Sequence, residues 1–286
     1  MSARFEAPDG RRLVYDDEGP SGEDAGAPPV LCLAGLTRDA RDFAPLAEAL
    51  ADRFRVIRLD ARGRGRSEHA ADPMAEYQIA VEAGDAVALL DHLAIPRAVV
   101  IGTSRGGLQA MAIGVGARHR LAGVVLNDIG PVIEREGLDV IEGYIGVAPK
   151  AGSFDELAET LAHVFAETYP DFGPQDWRDT ARRWFHEGED GRPVLSYDPR
   201  LREPMLAGMP GEDTDLWPFF DAFEGVPLLA IRGARSNILS ASTLAAMERR
   251  RPDMETVTLD NRGHVPILTE PDALAAIERF LTERVA

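Results

Sequence analysis

A serine stands between glycines at Gly102-Thr-Ser104-Arg-Gly106, after an apolar β-branched run and ahead of a segment with helical spacing. In the pattern GxSxG a sharp strand-to-helix turn presents the serine hydroxyl above the end of a sheet, where it can attack a carbonyl. The glycines have a steric reason, because the turn brings strand and helix so close that side chains at 102 and 106 would collide. The helix start behind Ser104 adds free N–H groups and positive potential where an oxyanion would form. A plain tight turn that contains serine would read the same way, so the decision falls to its partners.

A hydroxyl becomes a nucleophile only when a base takes its proton. His69, His92, His119, His163 and His186 lie in loops or on helices near charged neighbours, where solvated or capping roles fit. His264 follows the strand-like Glu255–Leu259 through Asp260-Asn-Arg-Gly263, and the base is expected there. An oxyanion needs two donors. The N–H of Arg105 is the first, and the N–H of Leu36, in Leu33-Ala-Gly35-Leu36-Thr37-Arg38, is the second, with Gly35 leaving room for the backbone to bend inward. The segment Asp60-Ala-Arg62-Gly-Arg-Gly-Arg-Ser67 is rich in Gly and Arg but fits neither GxGxxG nor a P-loop. It reads as a structural turn in which Asp60 and Arg62 tie loops near the site.

The elements that must carry these residues alternate. A hairpin at 2–7 and 12–16 leads into a polar loop that runs through Pro28. Apolar runs at 29–33, 54–59, 98–102, 121–126, 227–231 and 255–259 then alternate with helical patterns at 42–52, 78–93, 105 onward, 240–250 and 270–285. This predicts an α/β fold with a mostly parallel sheet and helices on both faces, formed by residues 1–131 and 226–286. Residues 132–225 hold helical patterns at 154–168 and 175–186 and no convincing strand, so a helical insertion is expected there. In open α/β sheets the ligand sits beyond the carboxyl ends of the strands, and the candidates Ser104, His264, Leu36 and Arg105 fall at such ends.

Bulk properties narrow the partners. The 286 residues carry 31 Lys and Arg against 48 Asp and Glu, a net charge of −17 that opposes binding to nucleic acid or anionic membrane. No signal-like or membrane-spanning run is present, so a cytoplasmic location is the expectation. The single cysteine, Cys32, permits no internal disulfide and reads as a buried thiol. Oligomeric state is not legible.

In chain order, Leu33-Ala-Gly35-Leu36, Asp60 to Ser67, Gly102 to Gly107, Arg232-Gly233 and Gly263-His264 resemble the motifs of the α/β-hydrolase fold family, in its capped esterase, lactonase and C–C hydrolase group. The likeness covers nearly the whole chain. It implies a serine hydrolase needing neither cofactor nor metal, which cleaves a small carboxylic ester or lactone through an acyl-enzyme, with residues 132–225 as the cap. The alternatives are a C–C bond hydrolase of a vinylogous diketone and a ligand-binding member that has lost turnover. The cap would supply specificity, and Tyr144, Tyr169, Trp177, Trp184, Phe185, Phe219 and Phe220 are its apolar surface or its own core.

Two positions depart from the family pattern. Ala34 stands where many members carry His before the oxyanion glycine, a change of packing more than of donors. The acid of the triad usually follows the next-to-last strand, and in Arg232-Gly-Ala-Arg-Ser-Asn237 that slot holds Asn237. An amide can orient an imidazole but cannot stabilise imidazolium by charge. Three readings compete: the acid has moved to Asp128 in Leu126-Asn-Asp128-Ile-Gly-Pro131, a placement similar to that in certain haloalkane dehalogenases; Asn237 is an introduced change; or the protein is naturally weak. Arg38 and Arg105 flank the oxyanion site, and either would engage a substrate carboxylate unless it is paired with the protein's own acids.

Overall fold

Successive residues of a strand point to opposite faces, and in this chain each face has its own set of helices. The computed structural model describes residues 2–20, 27–208 and 215–285. The elements run β1 (Ser2–Glu6), β2 (Arg12–Glu18), β3 (Val30–Leu33), α1 (Ala44–Leu50), β4 (Val56–Asp60), α2 (Pro73–Glu76), α3 (Ile79–His92), β5 (Ala98–Thr103), α4 (Arg105–Ala117) and β6 (Leu121–Asn127). They continue with α5 (Arg135–Tyr144), α6 (Phe154–Val164), α7 (Pro174–Trp184), β7 (Phe185–Glu187), β8 (Pro193–Leu195), α8 (Arg202–Ala207), α9 (Trp217–Asp221), β9 (Leu228–Gly233), α10 (Ala241–Arg250), β10 (Glu255–Leu259) and α11 (Pro271–Glu283). Part of the polar loop read before Pro28, at 21–26, lies outside the described residues, as does 209–214.

The main sheet has the order β1-β2-β4-β3-β5-β6-β9-β10. The pairs from β4 through β10 are parallel, and β2 joins β1 and β4 antiparallel. On one face Leu31, Leu33, Ile57, Val100, Val124, Leu126 and Leu228 pack against α3, α4 and α10. On the other Val30, Cys32, Val56, Val99, Ile101, Val125 and Ile231 meet α1 and α11. The Cys32 thiol is fully excluded from water, and burial pushes its pKa up to about 12. No helix among the described residues is long and apolar enough to cross a membrane.

Between β6 and β9 the chain builds a second cluster around Leu157, Leu161, Tyr169, Trp177, Ala181 and Trp184. The absence of strands expected across 132–225 is corrected here, because β7 and β8 form an antiparallel pair. The cause is tertiary. Arg41 donates to the carbonyls of Arg182 (3.1 Å) and Phe185 (3.0 Å), and the Ser196 hydroxyl donates to that of Trp184 (2.9 Å), so groups distant in sequence stop α7 and turn the chain into a hairpin.

Candidate active site

Ser104 occupies the single residue between β5 and α4, with φ 51° and ψ −115°. A positive φ is strained for a residue with a side chain, and the packing around it holds the strain. A Cβ at Gly102 would stand 2.5 Å from the Gly106 carbonyl oxygen, and one at Gly106 would run into the Leu33 carbonyl. The Ser104 N–H donates to Asn127 O at the end of β6 (3.0 Å), and its carbonyl accepts from Gly107 N–H (2.9 Å).

The loop after β10 brings His264 to this turn. His264 Nε2 lies 3.1 Å from Ser104 Oγ, and Nδ1 lies 2.7 Å from Asp128 Oδ2. With Nδ1 donating to the carboxylate, Nε2 is left to accept the serine proton, the tautomer this network requires. Asp128 directly follows β6, is fully buried and also takes a positive φ, 56°. Its Oδ1 accepts from Gly233 N–H (2.8 Å) and its Oδ2 from the Ser236 hydroxyl (2.6 Å). Both donors sit at the end of β9, the strand expected to carry the acid. Asn127 Nδ2 donates to Thr103 Oγ1 (3.0 Å) and Pro266 O (2.9 Å), tying the histidine loop to β5 and β6. Asn237 is not hydrogen-bonded to His264; its carbonyl lies against Gly137 of α5, leaving no room for a Cβ there.

The amides of Leu36 and Arg105 have no hydrogen-bond partner among the described residues. Both residues line the same cavity as Ser104. Gly35 sits beside the serine, since a Cβ there would be 3.8 Å from Ser104 Cβ and 3.9 Å from Arg38 Cγ. The two arginines differ in what they touch. Arg38 stacks on Trp184 at 3.7 Å and donates to Thr37 Oγ1 (2.8 Å), and the buried Asp42 carboxylate feels its charge although no hydrogen bond or ion pair joins the two. Arg105 is already engaged: its Nε donates to Glu82 Oε2 (2.7 Å), and its Nη2 donates to Glu82 Oε1 (3.1 Å) and Tyr77 O (2.9 Å).

Glu82 was not singled out by the sequence patterns. Its side chain on α3 is fully buried and also accepts from Arg64 Nη1 (2.6 Å) and Gln109 Nε2 (2.8 Å). Burial pushes its pKa upward, but the Arg105 and Arg64 guanidiniums hold it down at about 2. A signal exists in the sequence, because Glu82 and Asp85 share the apolar stripe of their helix with Ala86 and Leu89. Arg64 Nε in turn donates to Leu36 O (3.0 Å). Nearby, Asp60 accepts from Ala40 N–H (2.8 Å) and Arg66 Nε (2.7 Å), and Arg62 forms a bidentate pair with Asp85, the tying roles expected of that turn.

A cavity of about 400 Å³ opens at Ser104, with Leu108, Met111, Ile129, Ile133, Leu138 and Ile141 on its walls. Of the aromatic residues between β6 and β9 singled out above, Phe219 reaches it. Tyr169, Trp177, Trp184 and Phe185 pack with α6 and α7, Phe220 lies in the main core, and Tyr144 is exposed. Among the described residues, no group of three His, Cys, Asp or Glu is placed to hold a metal ion.

Residues 30–277 match the model of the alpha/beta hydrolase family. A curated relative, the 3-hydroxybutyrate-oligomer hydrolase of Cupriavidus necator, is 33% identical over 95% of this chain and 93% of its own length. The 2-(acetamidomethylene)succinate hydrolase of Mesorhizobium japonicum is 29% identical over 91% of this chain and 90% of its own. Among solved structures, an alpha/beta hydrolase from Novosphingobium aromaticivorans superposes with a TM-score of 0.91 at 42% identity, covering 98% of this chain and 97% of that one. On sequence and on architecture alike, the chain belongs to the alpha/beta hydrolase family.

Proposed function

We propose that this protein is a serine hydrolase that cleaves a small carboxylic ester or lactone through an acyl-enzyme. The observation that carries the reading is the hydrogen-bonded row from Asp128 through His264 to Ser104, 2.7 and 3.1 Å long. In this reading His264 Nε2 takes the Ser104 proton as Oγ attacks the carbonyl carbon, and the Leu36 and Arg105 amides receive the oxyanion. His264 then hands the proton to the leaving alkoxide oxygen. Water, deprotonated by the same nitrogen, attacks the acyl carbon, releases the acid and returns the proton to Ser104. Asp128 keeps the imidazole oriented and offsets its charge while it is protonated.

Asn237 is then not the acid, and the loss-of-turnover alternative, which leaned on it, has less support. The segment between β6 and β9 acts as the cap, since α5 and Phe219 contribute to the cavity wall. The apolar wall suits the hydrocarbon part of the substrate. An ester of a short hydroxy acid is favoured by the name of the Cupriavidus necator relative. The free carboxylate of such a substrate would meet Arg38, which feels Asp42 without a direct ion pair, and not Arg105, which Glu82 already holds. The test is a fluorophosphonate probe. Stoichiometric labelling of the wild type that vanishes in Ser104→Ala is the expected result, and an unlabelled wild type would overturn the reading.

A further inference from the structure

The two amides assigned to the oxyanion belong to residues whose other groups lead back to one buried side chain. From Glu82, one path runs through the Arg105 guanidinium and Gln109 into the first turns of α4. The other runs through Arg64, which donates to Glu82 Oε1 by Nη1 (2.6 Å) and to Leu36 O by Nε (3.0 Å). Arg64 Nη1 also donates to Arg62 O (2.7 Å), and Arg64 is itself 2% exposed, so the guanidinium has little freedom to swing.

The Leu36 N–H shares its peptide plane with Gly35 O, which accepts from Arg38 N–H (3.1 Å), and Leu36 O lies in the next plane of the same turn. Holding Leu36 O therefore restricts the turn that aims the Leu36 N–H, and anchoring the Arg105 side chain limits the first turn of α4. Donors held in place before reaction stabilise an oxyanion without reorganising, and loss of one such donor lowers turnover by about 10²–10³-fold. Removing the carboxylate would do more than delete one hydrogen bond. It would leave two guanidiniums, Arg64 buried and Arg105 partly buried, facing each other with no anion between them, and each would turn toward other acceptors, carrying its attached loop or helix turn with it.

We propose that Glu82 is a positioning residue that sets the spacing of the Leu36 and Arg105 amides through Arg64 and Arg105, the proposal resting on the acyl-transfer reading given above. It touches neither substrate nor reacting atom, and its effect belongs to the transition state more than to substrate binding. Glu82→Gln keeps the volume and gives up the charge and one acceptor. Expected is a fall in kcat of about 10–100-fold, smaller than loss of a donor because both amides remain, with KM moving less than threefold.

The kcat is measured per site titrated by a fluorophosphonate at long incubation, which removes the contribution of unfolded enzyme. A purely structural role would lower the number of titratable sites and leave kcat per site unchanged. Arg64→Lys is the second variant and decides the matter where Glu82→Gln yields no folded protein. It keeps a positive charge beside Glu82 but cannot reach Leu36 O and the carboxylate with one fork, so a fall of about 10-fold is expected. Unchanged kcat per site in the folded variants, beside a labelled and active wild type, would overturn the role of Glu82 alone. A wild type that neither labels nor turns over esters would overturn the acyl-transfer reading and this role with it.

Discussion

Asp128 and Glu82 are both buried carboxylates joined to the Ser104 turn, and they are satisfied by different kinds of donor. Asp128 accepts from an amide, a hydroxyl and a histidine, so its environment holds one group able to gain and lose a proton. Glu82 accepts from two guanidiniums and a carboxamide, none of which changes charge in the working range of an enzyme. The first arrangement can answer a charge that comes and goes. The second has its charge already committed and can only hold things still. A carboxylate meant to help proton transfer and one meant to maintain a frame are thus distinguishable by their partners before any assay is made.

The contrast can be broken at several points. Asp128→Asn should lower kcat by about 10⁴-fold, the size of the Asp-to-Asn effect in the serine-protease template, with KM little changed. A loss under tenfold, measured with a chromogenic ester, would mean that His264 finds its countercharge elsewhere.

The frame should show itself as pH-dependent stability. The Glu82 carboxyl is held below its ordinary value, to about 2, so its contribution is full above the unfolded-state pKa near 4.5 and is lost as pH falls from there toward 2. Thermal melts of wild type and Glu82→Gln should differ most near pH 7, draw together below about pH 4.5 and converge only near pH 2. A gap that stayed constant to pH 3 would show that the charge of Glu82 is not what the cluster uses.

Arg38→Gln should raise KM about tenfold for an ester bearing a free carboxylate and under twofold for a neutral ester of the same length, a loss of about 1.4 kcal/mol in binding. Equal effects on the two esters would remove Arg38 from substrate recognition. The smallest effect is expected from Asn237→Asp, a change in kcat of less than threefold. A rise of orders of magnitude would return the acid to position 237.

The sheet was legible in the sequence because its inner strands are covered on both faces and so read as unbroken apolar runs, as at Val30–Leu33 and Val99–Ile101. Ser104 and His264 were legible for another reason. Ser104 stands directly after β5 and His264 a short loop after β10, and the glycines beside them leave a local trace in the sequence. Asp128 was one of three readings, and no pattern in the chain could choose among them. What supports Asp128 in the reading proposed here lies across the sheet, in its contacts with His264 and with donors at and just after the end of β9.

Glu82 and Arg64 went unnoticed because a charge on a helix or a glycine-rich loop usually faces water. Their burial becomes visible only when α3, α4 and the loop after β4 are brought together. The hairpin of β7 and β8 escaped for a similar reason, since Arg41, far outside the segment, and Ser196, beyond the hairpin itself, hold the end of α7.

The position of Asp128 has a consequence for how the site is assembled. Ser104 and Asp128 sit at the two strand ends of one β5–α4–β6 crossover, joined directly by the hydrogen bond from Ser104 N–H to Asn127 O. An acid on β9 would have to wait for the whole intervening segment to be made and docked. Here the backbones of Ser104 and Asp128 are fixed relative to each other by short-range closure, which has a low entropic cost, whereas the Asp128 carboxylate gains its Gly233 and Ser236 donors only when β9 docks. In the proposed reading the backbones that carry Ser104 and Asp128 are paired ahead of β9, which orients the Asp128 carboxylate, and ahead of the loop after β10, which supplies His264. Lengthening the segment between β6 and β9 therefore leaves the spacing of the first two untouched.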